Sequence, residues 1–292
     1  MAGIRSRAFL NEPAVDPTFK FISDLAKELS QGRVELPSFP DAAARAQQVL
    51  SDPAVSSERL ARVIGADAGL AARVLTLSNS ALLHRGGDPI SDVKVAVTRI
   101  GHDNVRAAAL SYANAQLQRA PELSHIRAQL EGCWRDGLRV ASLAHSLAKE
   151  TRCARTDEAM LAGLLHNIGK LYILARTPPD ADSAASLNAA IVESWYPNIG
   201  KAVAQNWKLP EDIAAAIAGQ LESDRTHEGP GDLTDLLIVA LQVAGKMAAR
   251  APDDEGLAQL PSAVALGLTA PTFKRIALDA QAELRMLQSA LG

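Results

Sequence analysis

Residues 161–174 read Leu-Ala-Gly-Leu-Leu-His-Asn-Ile-Gly-Lys-Leu-Tyr-Ile-Leu, and most of this stretch is typical of a buried helix–turn–helix element. Two polar side chains, His166 and Asn167, occupy positions where the apolar periodicity predicts core. Gly163 lets another backbone come close, and Gly169 predicts a helix end in the left-handed conformation. The polar pair inside an apolar element is therefore the first candidate functional site of the chain.

The composition of the 292-residue chain favours packed helices. Apolar residues make up 48% of the chain and aromatic residues only 4%. Alanine is abundant, which favours helix, and no stretch has a convincing strand pattern. Capping residues followed by apolar stripes at a spacing of three or four predict many short helices. We therefore predict an all-α fold, built as a multi-helical bundle of many short helices.

The charge and the cysteines exclude several classes of protein. The formal net charge is −3, so no global electrostatic attraction to nucleic acid is expected. Cys133 and Cys153 form no CxxC or similar pair, which predicts neither a zinc site nor a disulfide framework and fits a reducing cytosol. No signal-peptide pattern opens the sequence, and no apolar run approaches the roughly 20 residues that span a bilayer. We expect a cytoplasmic protein with no membrane partner.

Turn and loop residues divide the chain into three segments. The pair Asp16-Pro17 predicts the start of a lead helix within residues 1–30, because it offers a capping side chain and then proline. Short helices are predicted through residues 31–225, and the stretch from Glu222 to Gly231 is a polar loop that contains Gly and Pro. Helical periodicity returns in residues 226–292, which we expect to pack on the core.

Several motifs of the second segment occur in an order known from one protein family. They are Leu36-Pro37, Asp67, Ser78-Asn79-Ser80, Arg99-Ile100-Gly101 and His166-Asn167-x-Gly169-Lys170. Over roughly residues 30–225 this order resembles HDOD domains, a branch of the HD superfamily of metal-dependent phosphohydrolases whose His-Asp-x-Gly-Lys signature has degenerated. The resemblance implies an HD-like helical bundle and a regulatory module rather than a hydrolase.

The resemblance also implies where a metal site would lie. Active HD enzymes hold a divalent cation, which activates water, through a His from an earlier helix, the His-Asp pair and a later Asp. The corresponding positions here are Asp136, His166, Asn167 and Gly245. Only the histidine is retained, because asparagine is neutral and glycine offers no side chain. We therefore predict a vestigial site without metal, cofactor or catalytic residue.

Further positions of the same implied site have changed as well. Lys170 would contact phosphate in an active relative, and here it is interpreted as a solvated lysine at a helix end. Tyr196 and Gln220 stand where relatives have additional histidines. The loss of those histidines adds to the prediction that no metal is bound.

Two histidine positions are interpreted without a metal. His166 is expected to be a core histidine that is hydrogen-bonded to Asn167, to Asp136 or to a backbone carbonyl, since buried polar groups are paired. The pair His102-Asp103 is literally His-Asp, but it follows Gly101 and opens a helix, where Asp is a natural N-cap. We interpret this pair as a helix start rather than as a catalytic dyad.

These observations predict a regulatory protein that works in signal transduction through contacts with protein partners, without turnover. One alternative is a metal-dependent phosphohydrolase that acts on nucleotides or cyclic dinucleotides with a variant site. A second alternative is a nucleic-acid-binding regulator that uses the short helices at 91–116, supported only by Arg99, Arg106 and Arg119. The acidic balance argues against this second alternative, and no nucleic-acid partner is expected.

Overall fold

Helices run through the described part of the chain, which comprises residues 16–32, 39–84, 86–177, 189–251 and 253–291 of the computed structural model. These ranges contain no strand, so the all-α prediction is confirmed. The first helices are α1 (Pro17–Ser30), α2 (Asp41–Leu50), α3 (Ser57–Gly65), α4 (Ala68–Ser78) and α5 (Val93–Arg119). A 3-10 helix (Pro121–Ile126) then precedes α6 (Arg127–Thr151), α7 (Thr156–Leu165) and α8 (Ile168–Ala175). The later helices are α9 (Ala189–Asn206), α10 (Glu211–Gly219), α11 (Leu233–Ala248), α12 (Asp254–Ala258), α13 (Pro261–Ala265) and α14 (Ala270–Leu291).

Side-chain caps start several helices where the sequence predicts them. The Asp16 carboxylate accepts a hydrogen bond from Thr18 N at 2.8 Å, and the Asp67 carboxylate accepts one from Leu70 N at 2.8 Å. Such bonds satisfy backbone N–H groups that have no partner inside the helix. Gly101 interrupts α5 with a φ of 77°, so this residue ends one helix and a second begins behind it, as predicted. The Leu36-Pro37 turn lies outside the described residues.

Helix α6 is the central element on which the later helices pack. Gly163 of α7 lies so close to α6 that a Cβ at this position would come within 2.6 Å of Ala141 Cα, which confirms the predicted close approach of two backbones. On another face of α6, helix α14 buries Phe273 and Ile276. Helix α14 also reaches α5, where Ser111 Oγ donates to the Leu291 carbonyl at 2.7 Å. The bundle is thereby held together by contacts between its first and last helices.

In the parts of the chain given above, no helix combines the length and the apolarity that crossing a membrane requires.

Candidate functional site

The His166-Asn167 motif forms the joint between α7 and α8. Helix α7 ends at Leu165, and α8 begins at Ile168, so both polar residues lie in the short connection. Gly169 does not end a helix, contrary to the prediction, because it lies in the first turn of α8. A Cβ at Gly169 would overlap the carbonyl oxygen of Tyr196 on α9, so this glycine allows two helices to touch backbone to backbone.

His166 is a neutral histidine inside the core. Its residue surface is only 6% exposed, and its Nδ1 lies 2.7 Å from the Gly163 carbonyl oxygen, to which it donates. Burial lowers the pKa of His166 to about 4, and the charge of Lys170 acts in the same direction. The Gly163 carbonyl and the Asp136 carboxylate only partly offset this effect. Of the predicted partners for His166, the backbone carbonyl is the one that the structure confirms.

Asn167 ties the joint to α6. Its Nδ2 donates to the carbonyl oxygen of Cys133 at 2.7 Å, and the residue is buried. A carboxylate at this position could not donate that bond. Burial raises the pKa of the Cys133 thiol to about 11, so this neighbour is not a nucleophile at neutral pH. Asn167 therefore has a structural role at the position where an active relative has an aspartate.

Asp136 does not reach the joint. Its side chain is 56% exposed, and its carboxylate pairs with Arg139 on the same helix at 2.9 Å. The expectation that Asp136 is hydrogen-bonded in the core is therefore wrong. A step of two residues along a helix turns a side chain by about 200°, so Asp136 points away from the face that Trp134 occupies. Gly245 lies on the exposed side of α11, and a Cβ built there would meet no atom within 4 Å.

Lys170 is paired rather than free in solvent, which corrects the sequence interpretation. Its Nζ lies 2.6 Å from Glu193 Oε1 and 4.5 Å from the centre of the Tyr196 ring. Tyr196 is buried, and its hydroxyl donates to Gln220 Oε1 at 3.4 Å. Burial raises the pKa of the Tyr196 hydroxyl, with the charge of Glu193 adding to the effect.

Gln220 completes this network by contacting the motif itself. Its Nε2 donates to the His166 carbonyl and to the Ile217 carbonyl, each at 2.7 Å. The positions at which relatives have additional histidines, Tyr196 and Gln220, are thus joined to each other and to His166. Neutral groups that pair among themselves occupy this space.

The His102-Asp103 pair lies elsewhere and holds α5 against the start of α7. The Asp103 carboxylate, expected to cap the helix, instead pairs with Arg155 and lies 3.9 Å from Arg106 Nε. Burial raises the pKa of Asp103 despite the neighbouring Arg155. Arg106 is itself buried, and it donates to the Leu50 carbonyl at 2.6 Å. One of the three arginines that could have supported nucleic-acid binding is therefore part of the core.

The sequence reasoning missed a second polar cluster, at the start of α11. His227, Asp232 and Asp235 each offer one ligand atom, and these atoms lie within 4.8 Å of one another. Asp235 is fully buried and accepts hydrogen bonds from Arg225 Nη1 at 2.7 Å, His227 Nε2 at 2.7 Å and Ser262 Oγ at 2.9 Å. The one available signal was the Asp-x-x-Asp spacing before an apolar run, which is typical of a capping box.

Arg225 supplies the positive charge of this cluster. Its guanidinium group contacts both carboxylates, with Nη2 at 2.7 Å from Asp232 Oδ2. Burial alone would raise the pKa of Asp235, but hydrogen bonds from His227, from the Asp232 backbone and from Arg225 outweigh it and lower the pKa. The hydrogen bond to Asp235 in turn raises the pKa of His227. The cluster is a paired network in which an arginine already occupies the place of a cation.

Comparison with known proteins places the chain in a family. The sequence profile of the HDOD domain matches residues 36–222, which is more than half of the chain. The protein belongs to the HDOD family. As an HDOD protein it shares its fold with a crystal structure from Shewanella amazonensis SB2B whose provisional name is metal-dependent phosphohydrolase. That structure has 26% identity and a TM-score of 0.63, and the match covers 91% of this chain and 99% of that one.

Two further relatives support this assignment. An HDOD domain protein of unknown function from Geobacter sulfurreducens has 22% identity and a TM-score of 0.62, with coverage of 94% of this chain and 98% of that one. At this identity the likeness shows the fold alone. An uncharacterized protein of Treponema pallidum (strain Nichols) is 25% identical over 209 residues, which are 66% of this chain and 39% of that protein. This HDOD chain therefore matches less than half the length of that curated relative.

Proposed function

We propose that this HDOD protein is a non-catalytic regulatory module that acts in signal transduction through contacts with protein partners. The observation that carries the proposal is the Asn167 side chain, whose amide nitrogen is committed to the Cys133 carbonyl. In the proposed division, residues 31–225 form the module, residues 1–30 a lead helix, and residues 226–292 an extension packed on it. The partner is a protein, and neither nucleic acid nor membrane takes part.

The donor set at the joint does not fit a divalent cation. Hard cations prefer carboxylate oxygens, and the nearby candidates are unsuitable, since Asp136 points outward and Glu193 is paired with Lys170. His166 uses Nδ1 on the Gly163 carbonyl. Hydrolysis of phosphate esters by this fold depends on a metal-activated water. Without carboxylates to hold the metal, we derive no hydrolytic step.

A helical scaffold can keep its fold after its chemistry is lost, because fold and activity are separable. The alternative, a phosphohydrolase with a variant site, is favoured by the provisional name of the Shewanella structure at 26% identity. The two candidates differ in one measurable property, which is turnover.

The test is an assay with the full chain on phosphodiester, nucleotide and cyclic-dinucleotide substrates in the presence of Mg²⁺ or Mn²⁺. We expect no hydrolysis above the buffer rate, and none after Asn167→Asp, because that change restores one carboxylate but leaves Asp136 turned away. His84→Ala, an exposed loop residue, is the matched control for His166→Ala. Turnover that His166→Ala abolishes and His84→Ala preserves would show that the protein is an enzyme.

A further inference from the structure

A small crevice lies beside Asn167, between α5, α6 and α8. Its volume is about 30 Å³. Its walls are almost entirely apolar, and no charged side chain lines it among the residues that the structure describes. The main apolar contributions come from Leu110, Leu117, Trp134, Leu164, Ile168 and Leu171.

One polar side chain in this wall lacks a partner. Asn114 on α5 is only 6% exposed, and its Oδ1 has no hydrogen-bond partner within the described ranges. Buried acceptors in native proteins are paired in the great majority of cases, by protein or by another molecule. The crevice is therefore a place where a hydrogen-bond donor is missing.

The chemistry of the walls restricts what can supply this donor. A charged group is disfavoured, because an apolar crevice offers nothing to compensate the loss of its hydration. An amide or an amine brings more polar atoms than one unpaired acceptor can satisfy. A water molecule needs roughly 10–15 Å³ on the same measure, so about two or three non-hydrogen atoms fit inside. A hydroxyl at the end of a short aliphatic chain meets all three conditions.

We propose that this crevice binds the hydroxyl end of a neutral aliphatic alcohol. The hydroxyl donates to Asn114 Oδ1, the first carbons pack against Leu164 and Leu171, and the rest of the chain lies in the mouth of the crevice. Such a ligand contacts α5, α6 and the α7–α8 joint together, so its binding stabilises the arrangement of these helices around the motif. The proposal extends the proposed regulatory function by giving the module a small-molecule ligand.

The two cysteines of the chain provide an internal test. Cys133 lines the crevice, whereas Cys153 lies near Asp232 and Thr151, away from it. The experiment alkylates the full chain with iodoacetamide in the presence of increasing butan-1-ol and follows each cysteine by peptide mass spectrometry. At a tenfold excess over the dissociation constant, alkylation of Cys133 is expected to slow about tenfold, because a bound site is protected in proportion to its occupancy. The rate at Cys153 should not change.

Diethyl ether is the matched probe, since it is an isomer of butan-1-ol that cannot donate a hydrogen bond. It should protect Cys133 clearly less than the alcohol does at equal concentration. Asn114→Leu should abolish this preference for the alcohol. Asn104→Leu should keep it, because Asn104 is also buried on α5 with an unpaired Oδ1 but does not line the crevice.

If Asn114→Leu does not fold, Ala113→Val serves instead, because the added carbons fill the crevice and should remove the protection of Cys133. Equal protection by the two probes, equal slowing at both cysteines or a lack of saturation would overturn the proposal and leave water as the occupant. None of these outcomes depends on turnover. The crevice proposal can therefore fail while the non-catalytic function stands, and the reverse also holds.

Discussion

The molecule contains two buried polar clusters with opposite histories in the sequence. The cluster at the α7–α8 joint, with His166 and Asn167, is the one that a family motif identifies. The cluster at the start of α11, with Asp235 and Arg225, has no family motif, yet it contains the carboxylates that the first cluster lacks. In the first, neutral groups pair with backbone carbonyls. In the second, charges pair with one another.

The two histidines show what this difference means physically. Burial without a carboxylate lowers the pKa of His166 to about 4, so it is neutral at physiological pH. A hydrogen bond to Asp235 raises the pKa of His227. The same residue type is thus held in opposite protonation states by its surroundings. A motif indicates ancestry, whereas the neighbouring charges decide what a histidine can do.

Removal of the carboxylate that organises the second cluster should have the largest effect. Asp235→Ala leaves Arg225, His227 and Ser262 without their shared acceptor and removes half of the capping box of α11. Breaking a buried ion pair from one side costs about 3–5 kcal/mol, so the free energy of unfolding, measured with urea, should fall by that amount. Asp253→Ala, which removes an exposed cap of the short helix α12, is the control and should cost about 1 kcal/mol or less. Equal losses for both variants would mean that the Asp235 network is not cooperative.

Acid should distinguish the two clusters next most clearly. The folded-state pKa of His166 is about 4, below the model value of 6.5, so the unfolded chain binds the extra proton first. Its contribution to stability is complete above pH 6.5 and is lost as the pH falls towards 4. One pKa unit corresponds to 1.36 kcal/mol, which makes this loss about 3 kcal/mol. His166→Gln should flatten the fall of the unfolding free energy between pH 6.5 and 4, and an unchanged slope would contradict the assignment.

His227 has the opposite sign and serves as the control in the same titration. Its pKa is raised in the folded protein, so its contribution is present below pH 6.5 and is lost as the pH rises through the folded-state value. The lowered pKa of Asp235 adds stability that disappears only as the pH falls below about 3.8. His227→Gln should therefore change the stability curve around neutral pH and leave the slope between pH 6.5 and 4 as in the wild type.

Two glycines of the implied metal site form a matched pair for a smaller effect. Gly169→Ala introduces a Cβ that overlaps the Tyr196 carbonyl, and relief of such overpacking costs about 1–3 kcal/mol. Gly245→Ala adds a Cβ in open space within a helix, where alanine is favoured over glycine by roughly 1 kcal/mol. Opposite shifts in melting temperature are expected. A stabilising Gly169→Ala would show that α8 and α9 do not need their close contact.

The sequence was sufficient for local features and insufficient for distant pairing. The helix starts at Asp16 and Asp67 and the break at Gly101 follow from capping and glycine rules that act within a few residues. The outward direction of Asp136 was missed because family alignment placed it at the site, although its helical phase opposes Trp134. The Asp235 network was missed because its partner Ser262 is 27 residues away, and no local pattern relates them.

The smallest expected effect is the response to metal, and it bears on both clusters at once. A ligand at a hundredfold excess over its dissociation constant stabilises the native state by about 2.7 kcal/mol, which for a chain of this size raises the melting temperature by about 5–10 °C. At the joint no carboxylate is available, and in the second cluster Arg225 already neutralises both carboxylates. We therefore expect Mn²⁺ or a chelator to change the melting temperature by no more than about 1 °C, which is under about 0.5 kcal/mol on the same scale. A larger shift that disappears in His166→Ala would restore the phosphohydrolase, whereas one that disappears in Asp232→Asn would assign the metal to the Arg225 cluster.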